Sequence, residues 1–109
     1  MKEIAVTPEF ESECPEMGGL TLCPDCGGNN LHHGKVEVFT RDAEDSDVGI
    51  HVSTDGAKAT IDGCLDDNPS RRRDGLNVHF WCENCRSHPI LSIVQHKGST
   101  YIQFKTLRG

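Results

Sequence analysis

The sequence contains no apolar run that approaches the roughly 20 residues of a membrane-spanning helix. Its first residues lack the apolar core of a secretion signal, so we expect a cytoplasmic chain with no membrane contact. Aromatic residues make up only 6% of the 109 positions and hydrophobic residues 35%. A chain of this length buries about 65% of the surface that its unfolded form exposes. Its core is therefore expected to be thin and to need a metal ion or a partner.

Positive charge is also scarce. Seventeen acidic residues against eleven lysines and arginines give a net charge of −6, which argues against an affinity built on neutralising many phosphates. The acidic residues concentrate at 9–16 and 42–47, and the one strong basic cluster is Arg71, Arg72 and Arg73. Nucleic acid is thus disfavoured as a partner and would depend on that local cluster.

Helical periodicity is absent, because no segment keeps it over three turns. Strand signals replace it and favour an all-β fold. Residues 31–41 are β-rich, and residues 50–53 and 57–61 flank Asp55-Gly56, a strong hairpin signal. Residues 76–82 alternate, with Leu76 and Val78 on one side and Asn77 and His79 on the other. Together with residues 89–96 and 100–107, which flank Lys97-Gly98, they predict a C-terminal three-stranded meander.

The composition divides the chain into two parts. Residues 1–19 are predicted to form an acidic N-terminal arm, and residues 20–109 a single domain with an insertion at about 42–75. The insertion contains the hairpin around Asp55-Gly56 and a loop-like stretch over 63–74. The outer strand of the meander, 100–107, is expected to be a free edge guarded by Lys105 and Arg108, which could pair across a dimer axis. The sequence leaves the oligomeric state open.

Six cysteines give the clearest chemical signal. Four of them form two C-x-x-C pairs, Cys23 with Cys26 and Cys82 with Cys85. A two-residue spacer lets a tight turn bring two sulfurs onto one ion, and two such turns complete a tetrahedron. We therefore predict one structural Zn²⁺ per chain, with all four positions taken by thiolates. Iron suits the same ligands and is the less favoured ion, and a disulfide framework is disfavoured without an export signal.

Through Cys23-Pro24-Asp25-Cys26-Gly27 and Cys82-Glu83-Asn84-Cys85, the chain resembles the zinc-ribbon (rubredoxin-like) class. The resemblance covers about residues 20–40 and 76–107, and small bacterial and prophage zinc-ribbon products are similar. It implies a β-ribbon with two knuckles that pinch one zinc ion, a module used in transcription, translation and adaptor proteins. The long insert, the acidic arm and the two further cysteines depart from the pattern, and the fold alone does not choose among these uses.

The remaining cysteines and the histidines are secondary candidates. Cys14 could replace one ligand if the arm folds back, but it is interpreted as a semi-buried thiol. Cys64 is interpreted as a free thiol or a chance core residue. His32 or His33 could complete an open Cys₂His zinc site, but four well-spaced cysteines make that unnecessary. The histidines around the second knuckle are expected on strand surfaces or as donors to sulfur; they are His79, His88 and His96.

Three functions remain open from these residues. A closed zinc site without a catalytic pair favours a non-catalytic adaptor module that docks a protein partner. Arg71, Arg72 and Arg73, with Trp81 nearby, could instead grip a phosphate, as in a nucleic-acid-binding zinc ribbon, although pairing of the arginines with Asp66, Asp67 and Asp74 is the simpler interpretation. The acidic stretches could also occupy a basic surface, as in a mobile-element inhibitor of a host nucleic-acid-handling enzyme.

Overall fold

The protein is built from strands, as the sequence predicts. The computed structural model describes residues 2–6, 10–14 and 18–108. The nine strands are β1 (Lys2–Val6), β2 (Phe10–Cys14), β3 (Gly18–Thr21), β4 (Leu31–Arg41), β5 (Gly49–Asp55), β6 (Lys58–Asp62), β7 (Gly75–Cys82), β8 (Ile90–His96) and β9 (Ser99–Arg108). All pairings are antiparallel. The all-β fold class is confirmed.

Seven strands form one sheet in the order β1-β9-β8-β7-β4-β5-β6, and β2 pairs with β3 in a separate hairpin. The predicted meander is β7-β8-β9, and the turn between its last two strands is Lys97-Gly98, both at positive φ (49° and 79°). Those dihedrals fit the two-residue turn whose twist matches the strands. The predicted hairpin of the insertion is β5-β6, and it joins the main sheet through β4.

The expected free edge at residues 100–107 is wrong, because β1 pairs with β9 from Lys2↔Arg108 to Val6↔Phe104. The predicted arm over residues 1–19 thus contributes a strand to the main sheet, although the division into arm and domain stays a prediction. At the other end of the sheet, β6 has no further neighbour among the described strands, and all five of its residues are exposed.

The two faces of the main sheet differ in polarity. On one, which we call the covered face, Glu37, Ser53, Asn77 and Ser92 are all buried. The loop over 63–74 lies against this face, since Asn77 Nδ2 donates to the Asp67 carbonyl at 2.9 Å and Ser70 Oγ donates to the Gln95 carbonyl at 2.9 Å. The other face contains Val38, which is 36% exposed, and also Phe104 and Thr106, which are buried.

Close packing of this loop is visible at Gly75, the first residue of β7. A Cβ there would collide with the Asn68 side chain and lie 2.7 Å from Pro69 Cγ. The predicted thin core is also observed: among the described side chains, the buried hydrophobic ones are Cys23, Phe39, Cys82 and Phe104. Two of those four belong to the cysteine pairs, so the knuckles are part of the core.

Candidate metal centre

The two cysteine pairs lie on matching backbone turns. In the first, the Cys23 amide donates to the Gly28 carbonyl and the Gly27 amide donates to the Cys23 carbonyl, both at 2.8 Å. In the second, the Cys82 amide donates to the Ser87 carbonyl at 3.1 Å and the Arg86 amide to the Cys82 carbonyl at 3.0 Å. The residue after the second cysteine has positive φ in both turns, 75° at Gly27 and 61° at Arg86. The spacing therefore produces one local structure twice.

Sheet pairing brings the two turns together. The first turn leads into β4 and the second follows β7, and Leu31 pairs with Cys82 where these strands meet. The Glu83 amide donates to the Asn30 carbonyl at 3.2 Å and ties one turn directly to the other. Cys82 lies 56 positions after Cys26 in the chain, and the antiparallel register closes that distance.

The four sulfurs converge as the spacing predicts. Cys23 Sγ lies 3.7 Å from Cys85 Sγ, Cys26 Sγ lies 3.7 Å from Cys82 Sγ, and all four lie within 4.8 Å of one another. A tetrahedron with metal–sulfur bonds of about 2.3 Å has sulfurs about 3.8 Å apart. The cluster thus fits one tetrahedral metal ion. It was the only group of three or more potential ligands found among the described residues.

Hydrogen bonds to the sulfurs also support metal binding by this cluster. The Gly28 amide donates to Cys26 Sγ at 3.4 Å, and Ser87 Oγ lies 3.2 Å from Cys85 Sγ and 3.7 Å from Cys23 Sγ. Donors aimed at sulfur stabilise thiolate ligands and fix their orientation. One cysteine of each pair is buried, Cys23 and Cys82, and the other is exposed, so the cluster sits at the surface with half of its sulfurs in the core.

The pKa values of two of the four thiols are shifted in opposite directions. The Ser87 hydroxyl and amide lower the pKa of Cys85 to about 7. At Cys26 the Gly28 amide acts in the same direction, but desolvation and the three neighbouring thiols outweigh it and raise the pKa to about 12. Four thiolates cannot share this space without a cation between them. The donor set is soft and closed, which suits a tetrahedral ion such as Zn²⁺ or iron.

The other sulfur and imidazole candidates lie elsewhere. Cys64 is an exposed free thiol, as interpreted from the sequence, and the Cys14 side chain is outside the described residues. His32 stacks on Trp81, with ring centroids 4.3 Å apart and an interplanar angle of 13°, and does not join the sulfur cluster. For His79 the sequence left open a place on a strand surface or a hydrogen bond to sulfur; the residue lies on β7, and its Nε2 bonds Glu37 Oε1 at 2.6 Å rather than sulfur.

Two of the three arginines form ion pairs with acidic residues of the chain. Arg72 forms a bidentate pair with Asp45, at 2.7 Å for both contacts, and reaches Glu44 at 3.0 Å; Arg73 also reaches Glu44 at 3.0 Å. The hydrogen bond from Arg72 lowers the pKa of Asp45. These pairs join the basic cluster to the acidic stretch 42–47 rather than to the expected Asp66, Asp67 and Asp74.

Trp81 belongs to the metal end of the sheet. It is 43% exposed, and a hollow of about 510 Å³ beside it is lined by Trp81, Cys82, Glu83, Arg86 and His88. His32, stacked on the indole, is also 3.3 Å from Glu83. We call Trp81, His32, Glu83, Arg86 and His88 the Trp81 platform. It holds both signs of charge around one exposed aromatic ring.

One polar cluster, centred on Glu37, was not predicted from the sequence. This buried carboxylate accepts from His79 at 2.6 Å and from His51 at 2.8 Å, and His51 also bonds Asp62 at 2.9 Å. Desolvation would raise the pKa of Glu37, but these hydrogen bonds and the charge of Lys35 hold it below its usual value. No local signal marked this residue, because Val36-Glu37-Val38 keeps the apolar and polar alternation of a half-solvated strand.

Comparison of the chain with protein-family models, with curated proteins and with solved structures finds no match in any of the three. Within residues 2–6, 10–14 and 18–108, no helix has the length and apolar character needed to cross a bilayer.

Proposed function

We propose that the protein is a structural-zinc module, non-catalytic, that docks a protein partner through the Trp81 platform. One observation carries the proposal: four sulfurs surround one point at the spacing of a tetrahedral site. An ion bound there has all its positions occupied by protein, and a closed zinc site contributes folding free energy rather than substrate activation.

Three residues of the Trp81 platform directly flank the cysteines of the second turn. Trp81 immediately precedes Cys82, and Arg86 and His88 follow Cys85. Stacking on His32 restrains the indole before any partner arrives, and a pre-ordered aromatic ring loses little entropy on binding. Docking should therefore require the metal, although the metal itself touches no partner.

Metal content tests the first half of the proposal. Native protein and its Cys82→Ser variant are purified alike without added metal and analysed by mass spectrometry, with Cys64→Ser as the matched control. We expect one zinc per chain in the native and Cys64→Ser proteins and none in Cys82→Ser. Stoichiometric iron, or equal zinc in all three, would overturn the assignment.

Photo-crosslinking tests the second half. A photoreactive amino acid replaces Trp81 in one chain and the exposed Val48 in the control chain, and both are irradiated in extract of the source cells. A protein adduct at position 81 that is absent at position 48 and lost on chelation of the metal supports docking by the platform. Identical adducts at both positions would contradict it.

The nucleic-acid alternative has less support, because Arg72 and Arg73 are occupied by Glu44 and Asp45. The same pairs occupy part of the acidic stretch that an inhibitor would present. A titration with a single-stranded oligonucleotide at low salt, monitored by Trp81 fluorescence, distinguishes nucleic-acid binding from protein docking. Quenching that disappears in Arg71→Ala would favour nucleic-acid binding.

A further inference from the structure

The four side chains of the Glu37 cluster form a continuous line of hydrogen bonds across the covered face. The line crosses β6, β5, β4 and β7, which are neighbours in that order in the main sheet. Its contacts are Asp62 Oδ1 to His51 Nδ1 at 2.9 Å, His51 Nε2 to Glu37 Oε2 at 2.8 Å and Glu37 Oε1 to His79 Nε2 at 2.6 Å. His51 is therefore bonded to a carboxylate through each of its two ring nitrogens.

The number of protons on His51 follows from these two contacts. An ionised carboxylate only accepts hydrogen bonds, and a neutral imidazole has a single N–H. The Cys64 amide and His51 hold the pKa of Asp62 below its usual range. Despite desolvation, the hydrogen bonds from His79 and His51 also hold the pKa of Glu37 below its usual value. Two ionised acceptors require two N–H donors, so a His51 ring that makes both contacts is an imidazolium.

The surroundings of the His51 ring suit a positive charge. The ring stacks on Phe39, with centroids 4.5 Å apart and an interplanar angle of 2°, and an aromatic face attracts a cation at this distance. A charge removed from water is tolerated where it is paired, and His51 is paired on both sides. The other charged groups beside the cluster are two of each sign and line a cavity of about 360 Å³ with Glu37 and His79; they are Lys35 on β4, Lys105 on β9, and Asp66 and Asp67 in loop 63–74.

Loss of one proton from His51 breaks one of its two contacts, and burial determines which one. Glu37 is 2% exposed, so water cannot replace the ring as its donor. Asp62 is half exposed and keeps the Cys64 amide as a donor at 2.9 Å. The proton therefore leaves Nδ1, and Asp62 turns to water. His79 bonds Glu37 through Nε2 alone, so it keeps that contact as a neutral ring.

We propose that the Glu37 cluster is a proton-controlled latch on β6, closed while His51 is an imidazolium and open once the ring has lost its Nδ1 proton. Within the described part of the chain, the contact between His51 and Asp62 is the one side-chain hydrogen bond that joins β6 to another strand. An open latch leaves β6 held by its backbone pairing to β5.

The latch acts on an edge of the main sheet. All five residues of β6 are exposed, and β6 has no further neighbour among the described strands. An edge of this kind is a template on which another strand can pair, and its order then depends on pH. The contact is present on the acid side of the histidine titration, which in proteins falls between about pH 5 and 8, and it is lost as the pH rises.

Nitrogen-15 NMR of the histidine rings in the full chain as purified tests the charge state at about pH 6 and pH 8.5. We expect protons on both ring nitrogens of His51 at the lower pH and on Nε2 alone at the higher pH. His79 is the internal reference and should keep its Nε2 proton at both. A His51 ring that is neutral at the lower pH, still doubly protonated at the higher pH, or protonated there on Nδ1 alone would overturn the proposal.

Rapid-mixing amide hydrogen exchange, corrected for the intrinsic rate at each pH, measures the order of β6. Between the same two pH values we expect the protection of the β6 amides to fall about fivefold, as for the loss of an exposed ion pair, and that of β4 to change by less than about twofold. In Asp62→Asn the protection should not depend on pH, because an amide can either accept from the ring or donate to it.

Asp55→Asn is the matched control. It removes the same charge from the same hairpin, opposite Lys58, and should keep the pH dependence of the native chain. Native protection that does not change with pH, or an unchanged pH dependence in Asp62→Asn, would contradict the latch. None of the four side chains is a metal ligand, so this result is separate from that of the metal assay.

Discussion

Glu37 is the one acidic side chain that the described part of the sheet encloses, at 2% exposure. Removing a carboxylate from water is costly, and it is tolerated here because His51 and His79 each donate to one of its oxygens. The Lys35 ammonium is 3.9 Å away and adds weaker attraction. Asp62, on the far side of His51, orients that ring. The cluster fastens β4 to β5 and β7 by side chains as well as by backbone.

We expect Glu37→Gln to lower the free energy of unfolding at pH 7 by about 2 kcal/mol, since hydrogen bonds to a charged group contribute about 1.5–3 kcal/mol. The folded pKa of Glu37 is depressed, so its contribution is complete above the unfolded pKa of about 4.3 and is lost as the pH falls through the folded pKa. Urea unfolding between pH 3 and 7 should show the difference between the two chains shrinking as the pH falls below about 4.3, the unfolded pKa.

Acid release of a metal affects both chains alike and cancels in that difference. Glu83→Gln is the control, because Glu83 is half exposed and its loss should cost at most about 0.5 kcal/mol. A difference between native and Glu37→Gln that stays constant down to pH 3 would contradict the prediction.

The matching turns of the metal centre require the same positive φ of two different residues. At positive φ a side chain costs about 1 kcal/mol relative to glycine, and Gly27 avoids that cost whereas Arg86 bears it. We expect Gly27→Ala to lower the free energy of unfolding by about 1 kcal/mol and Arg86→Gly to raise it by about 0.5 kcal/mol. Urea unfolding of both metal-loaded variants measures this, and a stabilising Gly27→Ala would show that the turns are not equivalent.

At the scale of elements, loop 63–74 acts as the second layer of the covered face. Arg41, the last residue of β4, holds it: Nε donates to the Arg73 carbonyl at 3.0 Å, Nη2 to the Ser70 carbonyl at 3.0 Å and Nη1 to the Ser46 carbonyl at 2.7 Å. A side chain from the sheet therefore satisfies carbonyls in two loops, which would otherwise lack regular partners.

We expect Arg41→Lys to lower the free energy of unfolding by about 2 kcal/mol, because one ammonium cannot replace three donors held in a planar fork. Amide hydrogen exchange across 63–74 should speed up more than exchange in β7. Arg71→Lys is the control, since Arg71 is exposed on the same loop. Equal effects of the two substitutions would show that Arg41 does not anchor the loop.

Local patterns predicted most elements. Alternation at Leu76, Val78 and Asn77 predicted the faces of β7, and Lys97-Gly98 predicted the turn that follows β8. β1 was missed because residues 2–6 are a short run whose partner, β9, lies at the opposite end of the sequence. Strand propensity depends on the neighbouring strands, and the sequence of one strand does not indicate which strand it pairs with.

In the candidate site, too, the local contacts could be predicted from the sequence and the long-range contacts could not. Two-residue spacing was enough to bring four cysteines together, since each pair makes its own turn. The Glu37 cluster was not predictable, because its histidines lie 14 and 42 residues away and meet only through the order of β5, β4 and β7. Arg72 likewise finds Asp45, 27 residues away, through loop packing that no local pattern encodes.

At the scale of the whole molecule, the cysteine cluster compensates for the thin core. We expect Cys82→Ser to lower the free energy of unfolding by more than about 4 kcal/mol, because it removes a buried ligand together with the metal's contribution to folding. Cys64→Ser, at an exposed free thiol, should change it by less than about 0.5 kcal/mol. Thermal unfolding with and without chelator measures both, and equal damage from the two changes would contradict the ligand assignment.

The long separation between the two turns has a consequence for synthesis on the ribosome. At about 5–20 residues per second, Cys26 emerges roughly 3–11 s before Cys82, which lies 56 positions further along the chain. During that interval the first pair of thiols has no second pair to complete the tetrahedron and is open to oxidation or to foreign ions. β1 waits longer still, because its partner β9 lies about 100 positions further along the chain. Nascent chains are therefore most vulnerable before β9 has left the ribosome.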